Sequence, residues 1–151
     1  MFSSIVVGTD GSDTATQAVR QAVEVAKTAS ATLEIVSAYT PVPEQQLRQE
    51  RIEAPEDVQW VISPRQEVEA SLSRAAQIAH EAGVDVSTYA CEGDPADAIV
   101  DVAETQNADL VIVANTRMTG VKRLLKRLLL ASVQHRVSRR APCSVLIVRT
   151  A

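Results

Sequence analysis

The sequence predicts an α/β fold, a single open five-stranded parallel sheet with helices on both faces, and three observations carry that prediction. Five short segments rich in β-branched residues read as strands. Longer segments with the period of amphipathic helices lie between them. The two kinds alternate strictly, which implies parallel pairing with each helix returning over the sheet. At 151 residues the chain fits one domain, residues 1 to 151, large enough to bury a core without disulfides or metals.

Each element has its own signal. IVVGT (5 to 9) is the first strand, and the pattern from Ser12 to Ala29 is the first helix. LEIVSAY (33 to 39) is the second strand. The stretch from Thr40 to Ile62 carries Pro41, Pro43 and Pro55 and is a polar connector of unusual length. Ser63 precedes Pro64 with Gln66 at the third helical position, the letters of a capping box, and opens a helix to Ala82 that Gly83 closes in a left-handed cap. VDVSTYAC (84 to 91) is the third strand. Asp94 before Pro95 opens a helix to Gln106, with Asp97 in its first turn. DLVIVA (109 to 114) and SVLIVR (144 to 149) are the fourth and fifth strands.

The segment between them, Thr119 to Arg140, is helical but carries two stripes. Val121, Leu124, Leu125, Leu128 and Ser132 share one face, whereas Leu130, Val133, Val137 and Ala141 share another, rotated by about 160°. One straight helix cannot bury both against a sheet, so a break is expected near Ala131, with Ser132 as the N-cap of a last helix.

Composition excludes several classes of function. The longest apolar runs are too short to cross a bilayer. MFSSIVVGTDG lacks a basic start and reads as a first strand rather than a signal peptide, so the cytoplasm is the expected compartment, with no membrane partner. Cys91 and Cys143 stand far apart without a CxxC and read as small core residues rather than a metal or redox pair. His80 and His135 lack the other members of a catalytic triad and read as solvated. All 19 acids lie at or before Asp109, while the last 42 residues carry nine bases and no acid. That polarity implies an anionic ligand, an acidic partner, or pairing between the two parts. Lys122, Arg123, Lys126 and Arg127 read as a solvated helix face. No nucleic-acid partner is expected, because the net charge is −4 and the basic strip has no interleaved aromatics.

Ligands of open parallel sheets bind beyond the carboxyl ends of the strands, where the strand order reverses. There the first strand offers Gly8, Thr9, Asp10, Gly11 and Ser12, expected to present backbone amides and one carboxylate, with loop-bonding by Asp10 as the plainer alternative. The fourth offers Ala114, Asn115, Thr116 and Arg117. The start of the last helix at Ser132 is an anion site of the helix-terminus type.

With IVVGTDGS at the start, EGDPADAIVDVAETQNADLVIVA in the middle and ASVQHRVSRRAPCSVLIVR at the close, the chain resembles the universal stress protein family nearly end to end. The resemblance implies a Rossmann-like sheet in the order 3-2-1-4-5, a stress-response sensor or adaptor rather than an enzyme, and a homodimer formed through the last strand, 144 to 149. In nucleotide-binding members a glycine, two residues, a second glycine, nine residues, then glycine with Ser or Thr cradle the phosphates. Here those glycines fall on Ala114, Arg117 and Ala131, the last followed by Ser132, and thirteen residues separate Arg117 from Ala131. Side chains at such places obstruct close approach of backbone to phosphate. The site residues that the resemblance carries over are Gly8, Thr9, Asp10, Ala38, Ala114, Arg117, Ala131, Ser132 and Val133. The expectation is an adaptor with a degenerate nucleotide loop and no cofactor; the alternative is occupancy by ATP or another adenine nucleotide as the signal. A phospho-receiver domain is excluded because the third strand ends in Cys91 and Glu92 where it needs Asp, a flavodoxin because aromatics to flank a flavin are scarce, and a nucleotide-activating ligase because a glycine pair before Asp10 is missing.

Overall fold

The computed structural model describes residues 1–41, 63–115 and 132–149. The elements are β1 (Ser4–Gly8), α1 (Asp13–Ala29), β2 (Thr32–Tyr39), α2 (Pro64–Glu81), β3 (Val86–Glu92), α3 (Pro95–Thr105), β4 (Leu110–Asn115), α4 (Val133–Arg140) and β5 (Ser144–Arg149). The strands form one parallel sheet in the order β3-β2-β1-β4-β5. Its order reverses between β1 and β4, since the chain steps outward from β1 to β2 and β3 and then returns to β1's other side.

Alternation along the strands sorts the apolar residues onto two faces. Ile5, Val7, Leu33, Ile35, Leu110 and Ile112 pack against α1 and α2. Val6, Val36, Val111 and Val113 pack against α3 and α4. Each fully buried Val or Ile contributes about 1.5–3 kcal/mol, so the two layers fix the sheet. Helix α1 meets it through Ala15, Ala18, Val19, Ala22, Val23 and Ala26, whose small size lets the helix lie close.

The capping chemistry is local and follows the letters. Ser63 and Gln66 form the full capping box, and Asp94 accepts the Asp97 N–H. At the end of α2 the Val84 N–H reaches Ala79 O at 3.0 Å and the Gly83 N–H reaches His80 O at 3.0 Å, with Gly83 at φ 76°, a Schellman closure. Val84 is thereby consumed by the cap, which is why β3 begins at Val86 rather than at 84. The same pair of bonds closes α1 and α3, but with Ser30 (φ 55°) and Asn107 (φ 51°) in the left-handed position.

One interior feature departs from the sequence reading, and two polar groups in the sheet add to it. Cys91 and Cys143 are only half-buried against the α3 and α4 layer, because they lie on or beside the edge strands β3 and β5. Burial, and secondarily the charge of Asp101 at Cys91 and of Asp109 at Cys143, pushes both thiols up. Glu34 is a carboxylate in mid-sheet, 6% exposed, on the α3 side between Val6 and Ser87. Its Oε2 has no hydrogen-bond partner among the described residues. Burial, then a hydrogen bond to Glu34 and that carboxylate's charge, pushes the Tyr89 hydroxyl up.

The charge polarity resolves partly into internal pairs. Arg136 of α4 meets Asp94 at 2.7 Å, and Arg140 meets Asp97, so basic α4 is bound to the acidic start of α3. The remaining basic strip, Lys122 to Arg127, lies outside the described residues, as do the expected break near Ala131 and most of the Thr40 to Ile62 connector.

Candidate functional site

The turn after β1 is held by its own side chains. The Thr9 N–H continues the ladder to Val36 O at 2.9 Å. Thr9 Oγ1 accepts the Gly11 N–H at 3.1 Å, and Asp10 Oδ1 accepts the Ser12 N–H at 2.9 Å. Ser12 then caps α1, accepting the Ala15 N–H at 3.2 Å. The amides at 9, 11 and 12 are therefore already satisfied within the protein. What it offers is the exposed carboxylate of Asp10, an acceptor for hydroxyl or amine hydrogens. Loop-bonding by Asp10, the plainer alternative in the sequence, describes its Oδ1, which accepts the Ser12 N–H.

Glycine suits both ends of this turn, by space at Gly8 and by backbone conformation at Gly11. A β-carbon on Gly8 would stand 2.5 Å from Ile99 Cδ1, so α3 fills the space a side chain would need. Gly11 has φ 81°, and a β-carbon there would stand 2.7 Å from Ser71 Oγ of α2.

Across the reversal point, the end of β4 is joined to the start of α4. Gln134 Nε2 donates to Asn115 Oδ1 at 2.6 Å. Ser132 caps α4 from an extended conformation, φ −60° and ψ 153°, and its Oγ accepts the His135 N–H at 3.3 Å. The Val133 amide, one residue into the helix, has no intrahelical acceptor and lies at the positive end of the helix dipole. No acid occupies the first turn, while Arg139 and Arg140 complement the opposite end. Val137, fully buried, is the anchor of α4 on the sheet. The Asp94–Arg136 pair adds a lateral tie: burial raises the Asp94 carboxyl, but the Asp97 N–H and Arg136 outweigh it and hold the group below the usual carboxylate range.

Of the positions carried over from the family pattern, Gly8, Thr9, Asp10, Ala38, Ala114, Ser132 and Val133 fall among the described residues, all at the carboxyl end of the sheet or at the start of α4. Arg117 and Ala131 lie outside them. Ala38 and Val133 pack on the α3 and α4 layer, while the methyl of Ala114 is turned to the α1 and α2 layer. Substitution of a glycine by Ala114 thus adds nothing to the face that carries Ala38, Asn115 and Val133. Sequence reasoning missed Gln134 and the Asp94–Arg136 tie, whose partners are remote along the chain and carry no local pattern. His80 and His135 are exposed, as read.

This arrangement has two chemically distinct ends, a hydrogen-bond-accepting carboxylate at β1 and an anion-favouring helix start at α4, flanking a small residue on β2. Comparison with known proteins gives the family. The model of the universal stress protein family matches residues 1–149. A universal stress protein of Methanocaldococcus jannaschii is 34% identical, covering 99% of this chain and 83% of the relative. One of Mycobacterium tuberculosis strain H37Rv is 37% identical, covering 99% and 97%. Among solved structures, a universal stress protein in complex with cAMP superposes with a TM-score of 0.73 at 33% identity, covering 99% of this chain and 98% of that one. No helix among the described residues is long and apolar enough to cross a membrane. The chain belongs to the universal stress protein family.

Proposed function

We propose that this chain is a cytoplasmic, non-catalytic sensor or adaptor whose crevice between β1 and β4 takes an adenine nucleotide bearing a single phosphate, and that occupancy is its signal. The nucleoside lies against Ala38 with Asp10 accepting its hydroxyl or amine hydrogens, and the phosphate meets the start of α4 at Ser132 and Val133. The carrying observation is the likeness to the universal stress protein solved with cAMP, at 33% identity over nearly the whole chain. A monophosphate also suits the side chains present, because one phosphoryl group needs one helix start, whereas a triphosphate chain needs close backbone approach at the positions held here by Arg117 and Ala131. The same two residues favour the second reading, an adaptor that works through protein contacts with no nucleotide.

Thermal-shift titrations with cAMP, AMP and ATP with magnesium separate the readings. At 100 times its dissociation constant a bound ligand adds about 2.7 kcal/mol. The expected result is a shift with cAMP or AMP that is lost in Asp10→Asn, a variant that retains the Oδ1 acceptor for Ser12 and so leaves the turn intact. If no adenine nucleotide shifts the transition at millimolar concentration, the adaptor without nucleotide is left standing.

A homodimer through β5 completes the proposal. β5 is an edge strand, and Leu146 and Ile147, on its opposite faces, remain 39% and 40% exposed. Its run SVLIVR has no proline or lysine to discourage pairing. Light scattering on the wild type and on Ile147→Lys tests it: a dimer that the substitution dissociates is expected, and a wild-type monomer refutes it.

A further inference from the structure

Helices α1 and α2 leave between them a groove of about 270 Å³ on the side of the β1 turn away from α4. Arg20 from α1 and Arg74 from α2 are among the residues that line it. The described ion pairs are Arg65–Glu69, Arg136–Asp94 and Arg140–Asp97, so neither arginine is neutralised among the described residues. Ser71 lines the same groove, and its hydroxyl, pressed toward Gly11, makes no described hydrogen bond. Val19 and Ile78 supply an apolar wall. The two arginines bring like charge to one groove from facing helices, and an arginine fork is shaped to bind a planar or tetrahedral oxyanion through two N–H groups. A carboxylate would balance only one of them. A phosphomonoester carries a charge of about −1.5 to −2 near neutral pH and balances both.

We propose that the groove between α1 and α2 is a second binding site, for a small organic phosphomonoester whose phosphoryl group is held by Arg20, Arg74 and Ser71 and whose carbon part lies on Val19 and Ile78. The site opens on the α1 and α2 side of the β1 turn, with Thr9 of that turn in its lining, whereas the proposed nucleotide crevice carries Ala38 and Val133 on the α3 and α4 side; the phosphoryl contacts assigned here do not rest on that reading.

Phenyl phosphate is the probe, followed by the Arg side-chain Nε–H resonances in ¹H–¹⁵N spectra of the full chain. Saturable shifts are expected for two arginines, with inorganic phosphate and benzoate both binding more weakly. Arg20→Gln and Arg74→Gln, both at exposed helix positions, are each expected to weaken binding about tenfold, the loss of one charge-assisted contact, while leaving any cAMP response unchanged. Asp10→Asn is expected to leave phenyl phosphate binding unchanged. No saturable shift, or binding that survives both arginine substitutions, overturns the proposal. Inorganic phosphate or benzoate binding as tightly as phenyl phosphate overturns the assigned ligand class. A loss of phenyl phosphate binding in Asp10→Asn shows that the probe occupies the nucleotide crevice instead.

Discussion

Asp94 performs two tasks that substitution can separate. It caps α3 by accepting the Asp97 N–H at 3.1 Å, and it pairs with Arg136 at 2.7 Å, tying α4 to α3. Asparagine keeps a capping oxygen and removes only the charge; alanine removes both. Losing a carboxylate cap costs about 1 kcal/mol. The ion pair, with its side chains 33% and 29% exposed, is partly screened and contributes about 0.5 kcal/mol. Asp94→Ala should therefore cost about 1.5 kcal/mol and Asp94→Asn about 0.5 kcal/mol. In a chain of this size 1 kcal/mol moves the melting temperature by about 2–4 °C, so the variants should fall by about 3–6 °C and about 1–2 °C. The pH dependence follows from the depressed pKa of Asp94. A carboxyl whose folded pKa lies below its unfolded value, about 3.9, stabilises fully above that value and loses the contribution as pH falls through the folded pKa. Urea unfolding at neutral pH and in steps through acid should show the gap between wild type and Asp94→Asn constant at high pH and closing in acid. Equal costs for the two variants, or a gap independent of pH, would refute this division of roles.

Other substitutions test the fold around the site. Ser30→Gly should raise stability by about 0.5–1 kcal/mol, because Ser30 sits at φ 55° where a β-carbon is strained, and denaturant midpoints would register the gain. Val137→Ala removes the fully buried anchor of α4 and should cost about 2 kcal/mol by chemical denaturation, with a larger fractional loss in any nucleotide affinity than the same stability loss made in α1. Gly11→Ala should cost about 1–2 kcal/mol from its φ of 81°, and adding Ser71→Ala should recover only the part due to the close contact with Ser71 Oγ.

What the letters revealed was local chemistry. Ser63 with Gln66, Asp94 with Asp97 and Gly83 are legible because cap and partner lie within one turn, and the structure uses each as written. Ser30 and Asn107 close helices in the same way but are ordinary polar residues in a sequence, since only the backbone reveals their left-handed conformation. Pairs across the fold were hidden: Gln134 with Asn115, and Arg136 with Asp94, become neighbours only after the sheet order is known. Glu34 interrupts an apolar strand, and only the strand register shows that it faces α3. The candidate site was legible in position and illegible in orientation. A strand's period of two tells which residues share a face but not which face it is, so the opposite directions of Ala38 and Ala114 emerged only from the packing. The glycines of the β1 turn suggested free amides because side-chain bonds from Thr9 and Asp10 leave no periodic trace.

The proposed occupant of the crevice between β1 and β4 carries one phosphate, at the start of α4, with Asp10 on the nucleoside. Calorimetric titration of the full chain with cAMP and with ATP and magnesium tests it most directly. Saturable binding of cAMP is expected, weakened at least tenfold by Asp10→Asn, a loss of about 1.4 kcal/mol or more, together with markedly weaker binding of ATP. ATP binding as tight as cAMP, or cAMP binding indifferent to Asp10→Asn, would contradict it.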